Sequence, residues 1–204
     1  MPDRRTVLTF ATALLLTGGR GIRSAFADSG VDRAGAFIKA TSDKLVAVVN
    51  GPGSAQDKRR SMTDIIDTAV DVDAVAKFSL GRFWRQASAE QQKLYLHLFH
   101  QVLVTSITAK IGDYQGVRIA VGKAQMRDEE AWVSSIVERP NNPPTNVDWV
   151  ISNPAATPKI IDVVAEGTSM RLTQRSDYAS YLAHNNNDID SLISAMRQQV
   201  GQAT

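Results

Sequence analysis

The chain has no cysteine among its 204 residues. Disulfides, thiolate metal sites and a cysteine-linked lipid anchor are therefore excluded, although an oxidising compartment is not, since it permits disulfides without requiring them. Long hydrophobic runs are missing as well. The N-terminal apolar tract, Val7 to Leu16, falls short of the roughly 20 residues that span a bilayer. Arg4 and Arg5 precede it, Gly18 and Gly19 follow, and Ala25-Phe26-Ala27 is a small-x-small pattern suited to signal peptidase. Residues 1–27 read as a cleaved export signal. Asp3-Arg-Arg-Thr-Val-Leu8, together with Arg20 and Arg23 near the cleavage point, fits a twin-arginine-like signal better than the general one.

A surplus of one charge sign is also absent once that segment is removed. The precursor carries 23 Lys+Arg and 21 Asp+Glu; residues 1–27 hold four Arg and one Asp, so the remaining 177 residues carry 19 basic and 20 acidic side chains. A nucleic-acid binder needs a concentrated basic field, and only Lys58-Arg59-Arg60 makes a run, which reads as a solvated helix face. Catalytic and metal signatures are lacking too. There is no G-x-S-x-G elbow and no H-E-x-x-H motif. Asp64, Asp67, Asp71 and Asp73 lack the glycine and distal glutamate of a calcium loop and read as caps and solvated faces. His97 and His100 sit three apart on one helix with no third ligand type nearby. Asp148 alternates away from the apolar face of its strand, which leaves Asp162 and His97 as poor catalytic candidates. No catalytic residue, metal or cofactor is assigned, and residues 28–204 have the length of one domain with a substantial core.

What is present divides into a helical half and a strand half. Phe37, Ile38, Leu45, Val48 and Val49 predict an amphipathic helix over 30–50, stopped by Asn50-Gly-Pro-Gly53. Ser54 can cap a second helix through about Ala69, and a third begins at Asp71 or Asp73 and ends in Phe78-Ser-Leu-Gly-Arg-Phe-Trp-Arg85. That block is an aromatic elbow. After it, Ser88 and Gln91 have the spacing of a capping box for a helix over about 88–112. From Leu94 to Ala109 this helix is apolar on more than one face and carries no formal charge apart from its histidines, so it expects apolar neighbours around most of its circumference. Beyond Gly116 the period becomes two. Strands are predicted from Val117, over 132–139, through Val147, Trp149 and Ile151, and over 159–165 with Ile161 and Val163 sharing a face; Glu166-Gly167 ends the sheet. Two helices, 169–183 and 188–200, close the chain, and no internal repeat is found.

The elbow, with an acidic Val-rich helix before it and a long apolar helix after it, resembles the MlaC family of periplasmic phospholipid-binding proteins, also called toluene-tolerance auxiliary proteins. Ile161-Asp-Val-Val-Ala-Glu-Gly-Thr-Ser-Met170 is similar to that family's D-V-x-V-E-G-x-S segment. Arg175 and Tyr178 resemble its following R-x-x-[FY], and Asp188 to Ile193 its terminal D-x-x-x-L-I. Pro158 stands where an aromatic usually precedes the Lys of the fourth strand, and Ala165 replaces a β-branched residue. The resemblance implies an α+β fold: a four-stranded antiparallel sheet forming an NTF2-like cone, wrapped by about six helices around an apolar cavity. It further implies a monomeric periplasmic lipid carrier serving an ABC-type transport system. Its partners would be phospholipid, an inner-membrane MCE-domain transporter complex and an outer-membrane lipoprotein complex, with no nucleic acid. Burial of acyl chains requires an apolar lining. The expected lining sets Val147, Trp149, Ile151, Ile161 and Val163 on the sheet against Phe99, Leu103 and Ile107 on the apolar helix, braced by Phe78, Leu80, Phe83 and Trp84. Alternatives are a hopanoid-associated carrier of a polycyclic lipid, a lipid-free adaptor with a closed core and an exposed apolar patch, and an enzyme on a similar scaffold.

Overall fold

A computed structural model describes residues 21–202, with side chains from Gly30 onward. The expected signal lies outside these residues except for the backbone of 21–27, which is helical. Helix α1, Gly21–Asn50, is followed by α2, Ala55–Ala69, and α3, Val72–Leu80. A 3₁₀ turn, Gly81–Arg85, leads into α4, Ala89–Thr108, and a second, Ile111–Tyr114, leads into the sheet. The strands are β1, Arg118–Arg127; β2, Glu130–Glu138; β3, Thr145–Ser152; β4, Lys159–Ala165; and β5, Thr168–Ser169. Helices α5, Met170–His184, and α6, Ile189–Gly201, complete the chain. Among the described residues no helix is long and apolar enough to cross a membrane.

Helix starts follow local chemistry. Ser88 Oγ accepts the Gln91 N–H at 3.2 Å, and Gln91 Oε1 accepts the Ser88 N–H at 2.9 Å, so two otherwise orphan donors are satisfied. Ser54 and Asp57 form the equivalent box for α2. The Ser54 hydroxyl and N–H, both donating to Asp57, hold that carboxyl below its ordinary value. Asp71 caps α3 by accepting the Ala74 N–H at 3.0 Å. Of the other aspartates near it, Asp73 pairs with Lys77 and Asp67 with His100.

The strands form one antiparallel sheet in the order β1-β2-β3-β4-β5. The fifth strand departs from the four expected. Glu166 and Gly167, read as the end of the sheet, both take positive φ, 47° and 79°, and make the two-residue turn that folds Thr168–Ser169 back onto Val164 and Ala165. Two bulges change which residues share a face. In β1 the register shifts between Val121 and Ala124, where Ser134 Oγ accepts the Lys123 N–H at 3.0 Å and donates to Lys123 O at 3.1 Å. In β4, Asp162 pairs with Val150 but Ile160 pairs with Ile151, leaving Ile161 as the extra residue. Ile161 therefore packs with Val150 and Val164, and does not share the face of Val163 as the plain alternation predicted.

Helix α1 crosses one face of β1 and β2, with α2 alongside α1; α3 and α5 pack at β4. Helix α4 lies among α2, α3 and α6. That position explains its lack of a single apolar stripe. It also corrects the expected opposition of α4 and the sheet, because α1 occupies that face and α2 stands next in line.

Candidate functional site

Buried apolar residues on the α1 side of the sheet form a continuous layer. Val133, Val147, Trp149 and Ile151 meet Ala34 and Ile38 of α1 and Ile65 and Ala69 of α2. Beside them, Val49, Met62, Ile66 and Val117 pack with half-buried Val46, Leu103, Val104, Ile119 and Val137. Among the described residues the one buried carboxylate is Asp162, and its pairing with Val150 puts it on the other face. Polar atoms in the layer are largely satisfied. Ser135 Oγ accepts the Trp149 indole N–H at 2.9 Å and donates to Val147 O at 3.1 Å. Thr41, on α1, donates to Phe37 O at 2.8 Å. Ser42, next to it and only 2% exposed, has no hydrogen-bond partner for its Oγ.

A cleft of about 390 Å³ lies between α1 and the start of β1, lined by Asp43, Val46, Arg118, Ile119, Ala120 and Glu138. Its lining residues Val46 and Ile119 pack directly on the Val49, Met62, Ile66 and Val117 cluster, so they form a floor that the cleft shares with the layer beneath. A neighbouring cleft of about 310 Å³ shares Arg118 and Glu138 and adds Gly116, Arg139, Pro140, Asn142 and Pro144. Arg118 Nε stands 3.8 Å from Glu138 Oε2, and the Arg139 guanidinium lies 4.8 Å over the Tyr114 ring. Both volumes sit at the low end of the roughly 300–1,000 Å³ typical of small-molecule sites. An apolar floor under a rim of both charge signs suits an amphipathic ligand.

The structure gathers only part of the expected lining. Val147, Trp149, Ile151 and Val163 share the layer, and Leu103 reaches its α2 side from α4. Ile161 faces away. Phe99 instead joins the helical cluster, with ring centroids 5.9 Å from Tyr95 and 6.4 Å from Tyr178, and Ile107 is exposed. Leu80 and Phe83 are buried in that same cluster, and Trp84 packs against it. Phe78 lies between two guanidiniums, 4.8 Å from Arg171 and 5.0 Å from Arg175. None of the twelve lines either cleft. The cleft residues were missed because they come from the last turns of α1 and two strand ends. Ser42 had a signal, a hydroxyl at helical spacing within the stripe of Ile38, Leu45 and Val49.

Two of the sequence motifs converge elsewhere, at the elbow. Asp162 accepts from Ser169 Oγ and from the Arg171 N–H at 3.0 Å, and its Oδ2 is 3.4 Å from Arg171 Nε. Arg171 also reaches Glu130 at 3.4 Å. Arg175 packs on Gly81, whose φ of +60° is a backbone conformation that residues with a Cβ rarely adopt; a Cβ there would also sit 3.1 Å from Arg175 Nε. Here β4, α5 and the elbow are locked together. In the adjacent helical cluster, Tyr95 donates its hydroxyl to Ala76 O at 2.8 Å. Burial pushes the Tyr95 and Tyr178 phenols well above their ordinary value, with Tyr178 adding to the effect at Tyr95 and Asp177 adding at Tyr178.

No curated protein matches the chain. Seven solved chains match its structure. One is a phospholipid-binding protein from Ralstonia solanacearum, solved in complex with a phospholipid; it shares 20% identity and superposes with a TM-score of 0.70 over 83% of this chain and 98% of its own. At that identity the likeness establishes the fold. The family model described as MlaC protein matches residues 39–198, which include the last turns of α1, the elbow, the whole sheet and nearly all of α6. The chain belongs to the MlaC family.

Proposed function

We propose that this protein is a periplasmic lipid carrier, exported by the cleaved signal of residues 1–27, that holds the acyl chains of a phospholipid between the sheet and helices α1, α2 and α4. The observation that carries this reading is the apolar layer, free of buried ionisable groups among the described residues, with a cleft whose apolar floor packs on it. Membership of the family and likeness to a phospholipid-binding fold support it. Each buried methylene is worth about 0.8 kcal/mol, so a chain of about 15 methylenes leaves a bilayer only for roughly 12 kcal/mol of equivalent burial. The cleft alone is too small for two such chains. Loading therefore moves α1 and α2 outward from the sheet and lets the chains replace side-chain contacts within the layer. The two buried phenols with raised proton affinity, Tyr95 and Tyr178, lie in the helical cluster and not among the residues of either cleft.

In this reading the protein works as a monomer. It passes lipid between an outer-membrane lipoprotein complex and an inner-membrane MCE-domain ABC transporter complex of the Mla-like type. The test is mass spectrometry of organic extracts from the protein purified out of the periplasm. Near-stoichiometric phospholipid is expected; a polycyclic lipid such as a hopanoid would replace the cargo assignment, and a lipid-free protein would overturn carriage in favour of an adaptor.

A further inference from the structure

Helix α1 carries a polarity gradient that runs inward from the cleft. Asp43 and Val46 line the cleft, where they face Arg118 and Glu138. One helical turn, about 5.4 Å, separates Val46 from Ser42 on the same face. Ser42 is 2% exposed, and one further turn inward Ile38 is fully buried against the sheet. The order from solvent is thus charged rim, apolar floor, buried hydroxyl, hydrocarbon layer. Ser42 Oγ is the single buried side-chain polar atom among the described residues without a partner. A hydroxyl left this way costs free energy, since hydration is lost and nothing replaces it. Its neighbour Thr41 has solved the same problem by donating to the carbonyl one turn back, and Ser42 has not.

A diacyl glycerophospholipid has a matching sequence of groups. Its phosphate and headgroup come first, then two ester carbonyls a few bonds deeper, then the chains. The carbonyls accept hydrogen bonds and cannot donate them. We infer that Ser42 is the ester-recognition site of the cargo, its hydroxyl donating to an acyl carbonyl while the headgroup occupies the cleft bounded by Arg118, Glu138 and Asp43. The rim places Arg118 beside Glu138, while Asp43 is already paired with Lys39 at 2.9 Å; charges of both signs suit a zwitterionic headgroup, with phosphate toward Arg118 and an ammonium toward Glu138. This inference rests on the carrier reading and names its specificity element.

The experiment loads the purified protein from vesicles that hold equal amounts of diester and diether phosphatidylethanolamine of the same chain length, and counts each bound species by native mass spectrometry. The ether lacks only the carbonyl. Wild type is expected to take up the diester in about threefold to tenfold excess, the range of one neutral hydrogen bond. Ser42→Ala is expected to bind both at near equal amounts, and Ser42→Thr, which keeps the hydroxyl, to restore the excess. Because Ser42→Ala removes an unpaired polar atom, it folds at least as well as wild type, and its thermal melt checks this. Equal uptake by wild type, or an undiminished diester excess in Ser42→Ala, overturns the assignment and leaves carriage standing. Failure to take up either lipid overturns both.

Discussion

Replacing Asp162 by alanine tests whether the polar junction behind the sheet holds the fold together. Asp162 is 6% exposed and accepts from the Ser169 hydroxyl and the Arg171 and Val163 N–H groups, with the Arg171 guanidinium at 3.4 Å. Truncation leaves Ser169, which caps α5 through the Leu172 N–H, without its own acceptor. It also leaves Arg171, 20% exposed at its side chain, with Glu130 as its one remaining carboxylate at 3.4 Å. Breaking one side of a buried charged pair costs about 3–5 kcal/mol, and the hydrogen bonds to the carboxylate belong to that same sum. With a urea slope of about 2 kcal/mol per molar, the unfolding midpoint of Asp162→Ala falls by about 2 M. Asp162→Asn keeps Oδ1 as acceptor for the two backbone N–H groups but loses the charge and the Oδ2 acceptor of Ser169 and Arg171, so its midpoint falls by less than that of the alanine variant, roughly 1 M. Equilibrium urea unfolding of both variants, followed by far-ultraviolet circular dichroism, reads the difference. An alanine variant within 1 kcal/mol of wild type would refute the reasoning, because the buried carboxylate would then be dispensable.

Gly81→Ala forces a side chain into φ +60° and against Arg175, and is expected to cost about 1–3 kcal/mol by thermal unfolding; part of that loss should disappear in an Arg175→Ala background, where the contact is gone and the backbone strain remains. Leu103→Trp overfills the α2 side of the layer and should expel lipid from a protein that still melts cooperatively; a folded variant that retains its lipid would count against the assigned layer. Tyr95 and Tyr178 should stay silent in an alkaline absorbance titration until the protein unfolds. Their phenols are raised by burial, so the stability they contribute is complete below the unfolded value near pH 10 and is lost as pH rises above it; ionisation of all four tyrosines while the fold persists would contradict their burial.

Much of the fold was legible because it rests on local chemistry. The Ser88 and Gln91 spacing marked the start of α4, Asn50-Gly-Pro-Gly53 the end of α1, and the change to alternation after Gly116 the start of the sheet. Local patterns do not encode bulges, and there the reading failed. One extra residue in β4 turned Ile161 from the layer to the opposite face, and Glu166-Gly167 turned out to be a hairpin instead of an end. The apolar circumference of α4 required neighbours around most of it, which α2, α3 and α6 supply, but could not say that these were helices. The cleft was invisible for a related reason. Asp43, Arg118 and Glu138 are ordinary surface residues until α1 lies across β1 and β2, and Ser42 becomes unusual only when, among the described residues, no other buried side-chain polar atom lacks a partner.

The acyl chains of a bound lipid are expected to lie between the sheet and helices α1 and α2. A phosphatidylethanolamine with a photoreactive diazirine midway along one acyl chain, loaded into the protein, irradiated and mapped by peptide mass spectrometry, tests it directly. Labels are expected on α1 and α2 around Val46, Val49 and Met62, and on the strands carrying Ile119 and Trp149. Labelling confined to the helical cluster of Phe83, Tyr95 and Tyr178, or to exposed residues alone, would contradict the account.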